Sequence, residues 1–181
     1  MIGGTNMKVT SIRAEVVHAS VYSNYVFVIA ETDEGVIGFG DATLDGMEFE
    51  VVAAVQHLGI KLIGKDVLED NLTLTADGGG LITAAAVSGI DIAMWDLKGK
   101  ALGKPLYQLL GGAIRKEIPV YASFNRVIQD RTPEGFGKFA KELVAMGNKA
   151  LKCHPFDGVS WRTPLAEQKR LVDLGCERFI A

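Results

Sequence analysis

Cysteine is scarce in this sequence of 181 residues, which contains two, Cys153 and Cys176. They belong to no Cys-x-x-C pair, so they provide neither the framework of a disulfide-rich protein nor the ligand spacing of a structural zinc site. Free thiols persist in a reducing compartment. The sequence therefore predicts a cytoplasmic protein without disulfides or structural zinc.

An excess of charge of either sign is also lacking, since the formal net charge is -3 and the isoelectric point is about 5.6. A surface for nucleic acid or an anionic membrane needs clustered Lys and Arg. No apolar run approaches the roughly 20 residues of a membrane-spanning helix, and residues 1–7 lack the regions of a signal peptide. We therefore expect neither a nucleic-acid nor a membrane partner.

The glycines form no nucleotide-binding fingerprint, although the sequence contains 21 of them. Gly38-Phe39-Gly40 is followed by Thr43 where a third glycine is needed, and it does not open a helix. Gly78-Gly79-Gly80 is not followed by the Lys-Ser or Lys-Thr pair of a phosphate-binding loop. These mismatches argue against a dinucleotide-dependent oxidoreductase.

The first part of the sequence has the pattern of one α+β domain. β-branched and aromatic residues in alternation predict a meander of three antiparallel strands. Apolar residues at spacings of three and four then predict helices, with glycines at their C-terminal ends. The predicted strands cover residues 8–19, 25–32 and 36–40, and the predicted helices cover residues 48–63, 83–102 and 106–110.

After Arg115 the sequence alternates between strands and helices, which is typical of parallel strands with helical crossovers. Thr132 and Pro133 suit the N-cap and the first residue of the first of these helices. A barrel needs eight such units, so we expect further residues beyond Ala181. The predicted strands cover residues 118–124, 150–154 and 178–181, and the predicted helices end at Gly147 and Gly175.

One strand in this second part carries two basic side chains at its C-terminal end. Because side chains alternate along a strand, Lys152 and His154 share one face while Cys153 lies on the other. Both basic groups are suited to proton transfer, and the carboxyl ends of barrel strands form the active-site face. Asn125 and Arg126 follow the preceding strand at the same edge. A solvent-exposed strand end is the alternative interpretation.

Four stretches occur in a characteristic order: Glu31–Ala42, Ser88–Lys100, Pro105–Gly112 and Val120–Ser123. Together they resemble the enolase superfamily, specifically the mandelate racemase/muconate lactonizing enzyme family, and the second stretch is the most specific. The resemblance implies an α+β capping domain over residues 1–115. It also implies that residues 116–181 form the first units of a modified α/β (TIM-type) barrel, which is incomplete in this chain.

The resemblance implies a Mg²⁺-dependent enzyme that removes the proton α to a carboxylate and stabilises the resulting enediolate. In this family the second barrel strand commonly ends in Lys-x-Lys. Lys152 matches the first lysine, which is implied to contact the substrate carboxylate, and His154 stands where the second is expected. A neighbouring cation favours the neutral imidazole, which can act as a base. The departure puts a racemase with two bases in doubt.

The resemblance also suggests substrate contacts outside the barrel strands. Residues 20–24 correspond to the family's specificity loop, so Tyr22 and Asn24 are candidates for substrate binding, as is Asn125 at the strand end. The family's metal ligands are acidic residues on the next three barrel strands. No residue of this sequence is therefore assigned to Mg²⁺.

The implied function is abstraction of an α-proton by an acid-sugar dehydratase or by a related racemase or isomerase. A muconate-type cycloisomerase is one alternative. Another is a non-catalytic capping or assembly module, because the first units of a barrel hold no metal. The resemblance implies a small-molecule carboxylate as the substrate. We expect a homo-oligomer, and we expect these 181 residues alone to be inactive.

Overall fold

The computed structural model of the chain describes residues 6–20, 23–69, 74–76, 78–125 and 127–181. The chain divides into two compact units, Met1–Ile114 and Arg115–Ala181. Each unit has its own cluster of buried apolar side chains, as expected of two separate cores.

The first unit contains an antiparallel sheet in which β1 (Val9–Ser20), β2 (Ser23–Thr32) and β3 (Ile37–Asp41) are neighbours in chain order. Alternate residues of β2 are buried, among them Val26 and Val28, because every second side chain faces the core. The predicted meander is therefore confirmed.

Helices cover the buried face of this sheet. The helix α1 (Glu48–Gly59) packs against β1, and α2 (Gly80–Ala101) packs against β3 and α1. A short 3-10 helix, Ile60–Leu62, continues α1, and α3 (Leu106–Leu109) follows α2. These are the helices that the apolar spacing predicts.

By length and composition α2 could cross a membrane, since it has 22 residues and a hydropathy of 1.3. Core helices of globular domains meet the same criterion. Ala86, Ile90 and Leu97 of α2 are buried in the core of the first unit, and packing accounts for their apolar character. The expectation that the protein has no membrane partner remains a prediction.

Two glycines allow β3 and α2 to approach closely. A Cβ on Gly40 would overlap the carbonyl oxygen of Gly89, and a Cβ on Gly89 would lie 2.6 Å from the Cβ of Ala42. Real Cβ atoms do not approach so closely, so any larger side chain would push the helix from the sheet. Gly89 belongs to the stretch that carries the most specific part of the family resemblance.

In the second unit, β4 (Ala122–Ser123) pairs in parallel with β5 (Leu151–Lys152), so that Ala122 lies opposite Leu151 and Ser123 opposite Lys152. The helix α4 (Pro133–Ala145) follows β4, and α5 (Leu165–Ile180) follows β5. The Thr132 hydroxyl accepts a hydrogen bond from the Gly135 amide at 3.1 Å, which confirms the predicted N-cap. Parallel pairing is also confirmed.

The predicted strands of this unit are too long. Ladder hydrogen bonds flank only the two short segments, from the Ala122 amide to the Ala150 carbonyl and from the Phe124 amide to the Lys152 carbonyl. Ile118 and Val120 are exposed, although their apolar character favoured a strand. A strand requires a paired partner as well as local propensity, and these residues lack a ladder partner within the described part of the chain.

The strand predicted over residues 178–181 is wrong, because α5 continues through Gly175 to Ile180. Gly175 is buried, and a Cβ there would lie 2.5 Å from Cε1 of Phe156. The glycine therefore permits close packing of the helix on an aromatic ring and does not end the helix. Gly147, by contrast, has φ of 93° and follows the end of α4 as predicted.

Replacement of Gly89 by Ala should destabilise the first unit, although Ala is the better helix former by about 1 kcal/mol. We expect a net loss of about 1–3 kcal/mol in the free energy of unfolding, because the methyl group has no space against Ala42. Urea unfolding measures this loss. Ile92→Ala, at an exposed position of α2, is the control, and its effect should stay within about 0.5 kcal/mol. Equal stability of Gly89→Ala and the parent would contradict the close approach.

Candidate functional site at the ends of two parallel strands

The sheet of the second unit has one covered and one uncovered face. Phe124 and Leu151 pack with Phe136 of α4 on the covered face. The alternate residues, Ser123 and Lys152, are exposed on the opposite face. In a (β/α) barrel the helices lie outside the strands, so the face that the helices leave uncovered corresponds to the barrel interior.

Lys152 lies on this uncovered face at the last position of β5. Its Nζ lies 5.6 Å from the centroid of the Tyr121 ring, a cation–π distance. The Ser123 side chain stands on the same face, because Ser123 and Lys152 are paired in register. Sequence reasoning did not single out Ser123, although a polar residue at the end of an apolar strand is the same signal that identified Lys152.

His154 follows the end of β5, and its side chain is exposed. No hydrogen bond or ion pair of the imidazole is found within the described part of the chain. Its backbone carbonyl, however, accepts a hydrogen bond from Nη2 of Arg131 at 3.0 Å. Arg131 therefore holds the main chain of His154, whereas the imidazole has no polar partner among the described residues.

Asn125 lies at the corresponding edge of β4, as the sequence predicts. Its Oδ1 atom is buried and has no hydrogen-bond partner among the described residues. A buried acceptor without a partner costs roughly 1–3 kcal/mol, so this atom is suited to accept a hydrogen bond from a ligand. The Asn125 carbonyl accepts a hydrogen bond from Nη1 of Arg131 at 2.9 Å.

Three charged side chains contact one another beside these strand ends. We call these residues, Arg131, Asp157 and Arg178, the strand-end cluster. Arg131 binds the Asp157 carboxylate through two hydrogen bonds, Nε to Oδ2 at 2.6 Å and Nη2 to Oδ1 at 2.7 Å. Nη1 of Arg178 donates to the same Oδ2 at 2.8 Å. Two cations thus share one carboxylate.

The strand-end cluster was missed in the sequence because its members are 21 to 47 positions apart. One feature of the sequence could have indicated the cluster, namely that both loops leading from a strand to a helix in this unit contain charged residues. Arg131 directly precedes the N-cap of α4, and Asp157 follows β5. Only the parallel alignment of β4 and β5 brings these two loops together.

Hydrogen bonds from the Arg131 guanidinium hold the pKa of Asp157 below its ordinary value, and the charge of Arg178 acts in the same direction. Partial burial opposes the shift without reversing it. A carboxyl group with a lowered pKa in the folded state stabilises the fold when it is ionised. This stabilisation is present above the unfolded-state pKa, about 3.9, and is lost as pH falls through the lower folded-state pKa.

The remaining candidates lie elsewhere. Asn24 is in β2 rather than in a loop, because β1 and β2 extend to Ser20 and Ser23. Its Oδ1 lies 2.9 Å from Nδ1 of His18, and its Nδ2 donates to Glu48 at 3.4 Å. These contacts hold Asn24 within the first unit. Tyr22 and Arg126 lie outside the described residues.

The described residues do not fit Mg²⁺. Among them, no three side chains of His, Cys, Asp or Glu form a group that could hold a metal ion. Both oxygens of Asp157 accept hydrogen bonds from arginine, and Asp130 accepts from the Thr132 hydroxyl at 2.7 Å. Mg²⁺ needs oxygen ligands in octahedral geometry, which these occupied carboxylates do not offer.

Replacement of Asp157 by Asn should lower stability near neutral pH and flatten its dependence on pH. We expect the free energy of unfolding to fall by about 1–2 kcal/mol at about pH 7. This range already allows for solvent screening, since the carboxylate is 43% exposed. The difference from the parent should shrink as pH falls and should vanish below the lowered folded-state pKa, where Asp157 is protonated in both states. Urea unfolding between these limits measures it.

The control for this prediction is Glu167→Gln, which removes an exposed carboxylate that also binds an arginine, Arg170. Its effect should be smaller because Arg170 is 62% exposed, whereas Arg131 and Arg178 are 28% and 9% exposed. A constant difference between Asp157→Asn and the parent at all pH values would contradict the role of the ionised carboxylate.

Residues 6–111 match the N-terminal domain of the mandelate racemase / muconate lactonizing enzyme family. A D-mannonate dehydratase of Novosphingobium aromaticivorans is 40% identical over 153 residues, which cover 81% of this chain and 37% of that protein. A D-galactonate dehydratase of Pectobacterium atrosepticum is 45% identical over 104 residues, covering 54% of this chain and 27% of that protein. The chain thus spans less than half the length of these curated relatives.

Solved structures agree with this assignment. A member of the enolase superfamily from Salmonella Typhimurium has a TM-score of 0.76 and 32% identity, covering 96% of this chain and 50% of that one. A mandelate racemase/muconate lactonizing protein from Paracoccus denitrificans, complexed with magnesium, has a TM-score of 0.63 and 29% identity, covering 81% of this chain and 42% of that one.

These comparisons confirm the predicted fold class, a capping domain followed by a barrel that is incomplete in this chain. The family resemblance that the four sequence stretches carry is confirmed as well. The chain belongs to the mandelate racemase/muconate lactonizing enzyme family of the enolase superfamily.

Proposed function

We propose that the full-length protein is an acid-sugar dehydratase, and that Lys152 and His154 take part in removal of the proton α to the substrate carboxylate. The observation that carries this proposal is the exposure of both residues at the carboxyl end of β5, beside the end of β4. Relatives named D-mannonate dehydratase and D-galactonate dehydratase support the substrate class.

The proposed roles follow from the chemistry of the two side chains. The Lys152 ammonium carries up to three hydrogen-bond donors and a positive charge, so it can bind a carboxylate oxygen. Loss of the α-proton increases the negative charge on that carboxylate, and a neighbouring cation therefore stabilises the transition state more than the ground state.

His154 is the proposed base. A neutral imidazole has one ring nitrogen with a free lone pair, which can accept the α-proton. Because the ring is exposed and has no hydrogen-bond partner among the described residues, substrate can approach this nitrogen. The proton then resides on the ring as His⁺, which donates it to the β-hydroxyl group of the sugar acid as the bond between Cβ and that oxygen breaks. Water leaves, and the enol that remains tautomerises to the ketone. Asn125 Oδ1 is suited to accept a hydrogen bond from a substrate hydroxyl.

The site also fits other reactions that begin with the same proton transfer, including racemisation. The absence of a second lysine at position 154 favours the dehydratase over a racemase with two lysine bases. No step is assigned to Mg²⁺, since the described residues do not fit it. Magnesium dependence of the full-length protein is part of this proposal, with ligands outside the described residues.

Lys152→Ala and His154→Ala should each reduce α-proton exchange in the full-length protein by about 100- to 10,000-fold. D-mannonate and D-galactonate in D₂O are the probes, and NMR follows the loss of the α-proton signal. Lys149→Ala and His57→Ala are matched controls, because both side chains are exposed outside the proposed site. Wild-type exchange in either site variant would refute the role of that residue.

A non-catalytic role of the 181-residue chain itself is the second candidate, and the lack of a metal-binding group among the described residues favours it. Calorimetric titration with Mg²⁺ should detect no tight binding by this chain, whereas the full-length protein, titrated in parallel, should bind. Tight binding by residues 1–181 alone would contradict the absence of ligands.

A further inference from the structure

Three backbone carbonyls at the ends of β4 and β5 lack a strand partner, because the ladder of hydrogen bonds stops beside them. They belong to Asn125, His154 and Pro155. A carbonyl that leaves a sheet without a partner must find another donor or remain in water. In this chain all three accept hydrogen bonds from guanidinium groups of the strand-end cluster.

Arg131 donates hydrogen bonds to the carbonyls at both strand ends. Its Nη1 donates to the Asn125 carbonyl after β4, and its Nη2 donates to the His154 carbonyl after β5. The guanidinium is planar and rigid, so the positions of these two carbonyls are set relative to each other by one chemical group. The distance between the end of β4 and the main chain of His154 thereby depends on Arg131.

The rest of the cluster holds this guanidinium in place. Asp157 binds it through two oxygens, and Arg178, whose side chain is 9% exposed, donates from Nε to the Arg131 carbonyl at 2.5 Å. Arg178 also donates to the Pro155 carbonyl at 2.7 Å. The Cζ atoms of both arginines lie near the face of the buried Phe136 ring, at 5.1 and 5.5 Å from its centroid.

We propose that Arg131 is a positioning residue of the proposed site, which sets His154 relative to Asn125 by binding both of their carbonyls. The inference rests on the proposed function, because a positioning role for Arg131 requires that His154 and Asn125 take part in the reaction. The Arg131 side chain acts by donating hydrogen bonds to main-chain carbonyls, and this role requires no contact with substrate. Lysine cannot replace it, because an ammonium group lacks the planar fork that reaches two carbonyls and a carboxylate together.

Arg131→Lys in the full-length protein tests this inference. The matched control is Arg170→Lys, which makes the same change in an arginine that binds Glu167 through two hydrogen bonds on the exposed side of α5. Hydrogen exchange, read by mass spectrometry, should become faster in peptides covering residues 122–130 and 152–158 of Arg131→Lys only. Its kcat for α-proton exchange should fall by about 10- to 100-fold, with a smaller change in KM.

A purely structural role would reduce the amount of folded enzyme without changing kcat per folded molecule, so rates are normalised to the folded fraction from circular dichroism. Asp157→Asn is the second variant, because it keeps Arg131 and removes its anchor. It should accelerate exchange in the same two peptides to a smaller extent. If Arg131→Lys does not fold, this variant decides between the same outcomes.

Unchanged hydrogen exchange in either peptide of Arg131→Lys would overturn the inference. Faster hydrogen exchange in Arg131→Lys with an unchanged kcat would also overturn it, provided that Lys152→Ala abolishes activity and so supports the proposed function. The proposed function fails separately if Lys152→Ala and His154→Ala both retain wild-type rates. In that case the hydrogen-exchange comparison still decides whether Arg131 holds the two strand ends together.

Discussion

The hydrogen bonds from one guanidinium to the carbonyls of two neighbouring strand ends are the constraint on which the candidate site depends. Parallel strands are connected through helices, so nothing in the local chain fixes the end of β4 against the end of β5. The ladder itself is short, with two residues in each strand. Arg131 extends the connection beyond the ladder to the residues that carry polar side chains.

Along these short strands, the residues that stabilise the fold alternate with the residues that are proposed to act on substrate. Alternate residues face α4 and are buried, while the residues between them face away and are exposed. Lys152 and His154 thus depend on neighbours such as Leu151 for their direction, and on the strand-end cluster for their position. The first unit uses a different device, since Gly40 and Gly89 remove side chains so that a strand and a helix can touch.

The sequence predicts the features that depend on local pattern. Alternation identifies the meander, and the side-chain chemistry of Thr132 identifies the start of α4. Features that depend on distant partners were missed or wrong. The local sequence predicts that Gly175 ends a helix, because it gives no indication of the contact with Phe156. The predicted strands of the second unit are too long, because strand pairing depends on residues that are distant in the sequence. The strand-end cluster was missed for the same reason.

The substitution of histidine for the second lysine of the family pattern fits this dependence. A lysine can reach a substrate from several backbone positions, because its long stem has four rotatable bonds and an ammonium at its end. An imidazole is close to the main chain and has two side-chain torsions, so its nitrogen follows the backbone more closely. His154 lies beyond the β5 ladder, where the strand no longer fixes its backbone. The proposed role of His154 as a base therefore requires that its main chain be held by a contact outside the ladder, and the hydrogen bond from Arg131 to the His154 carbonyl is such a contact.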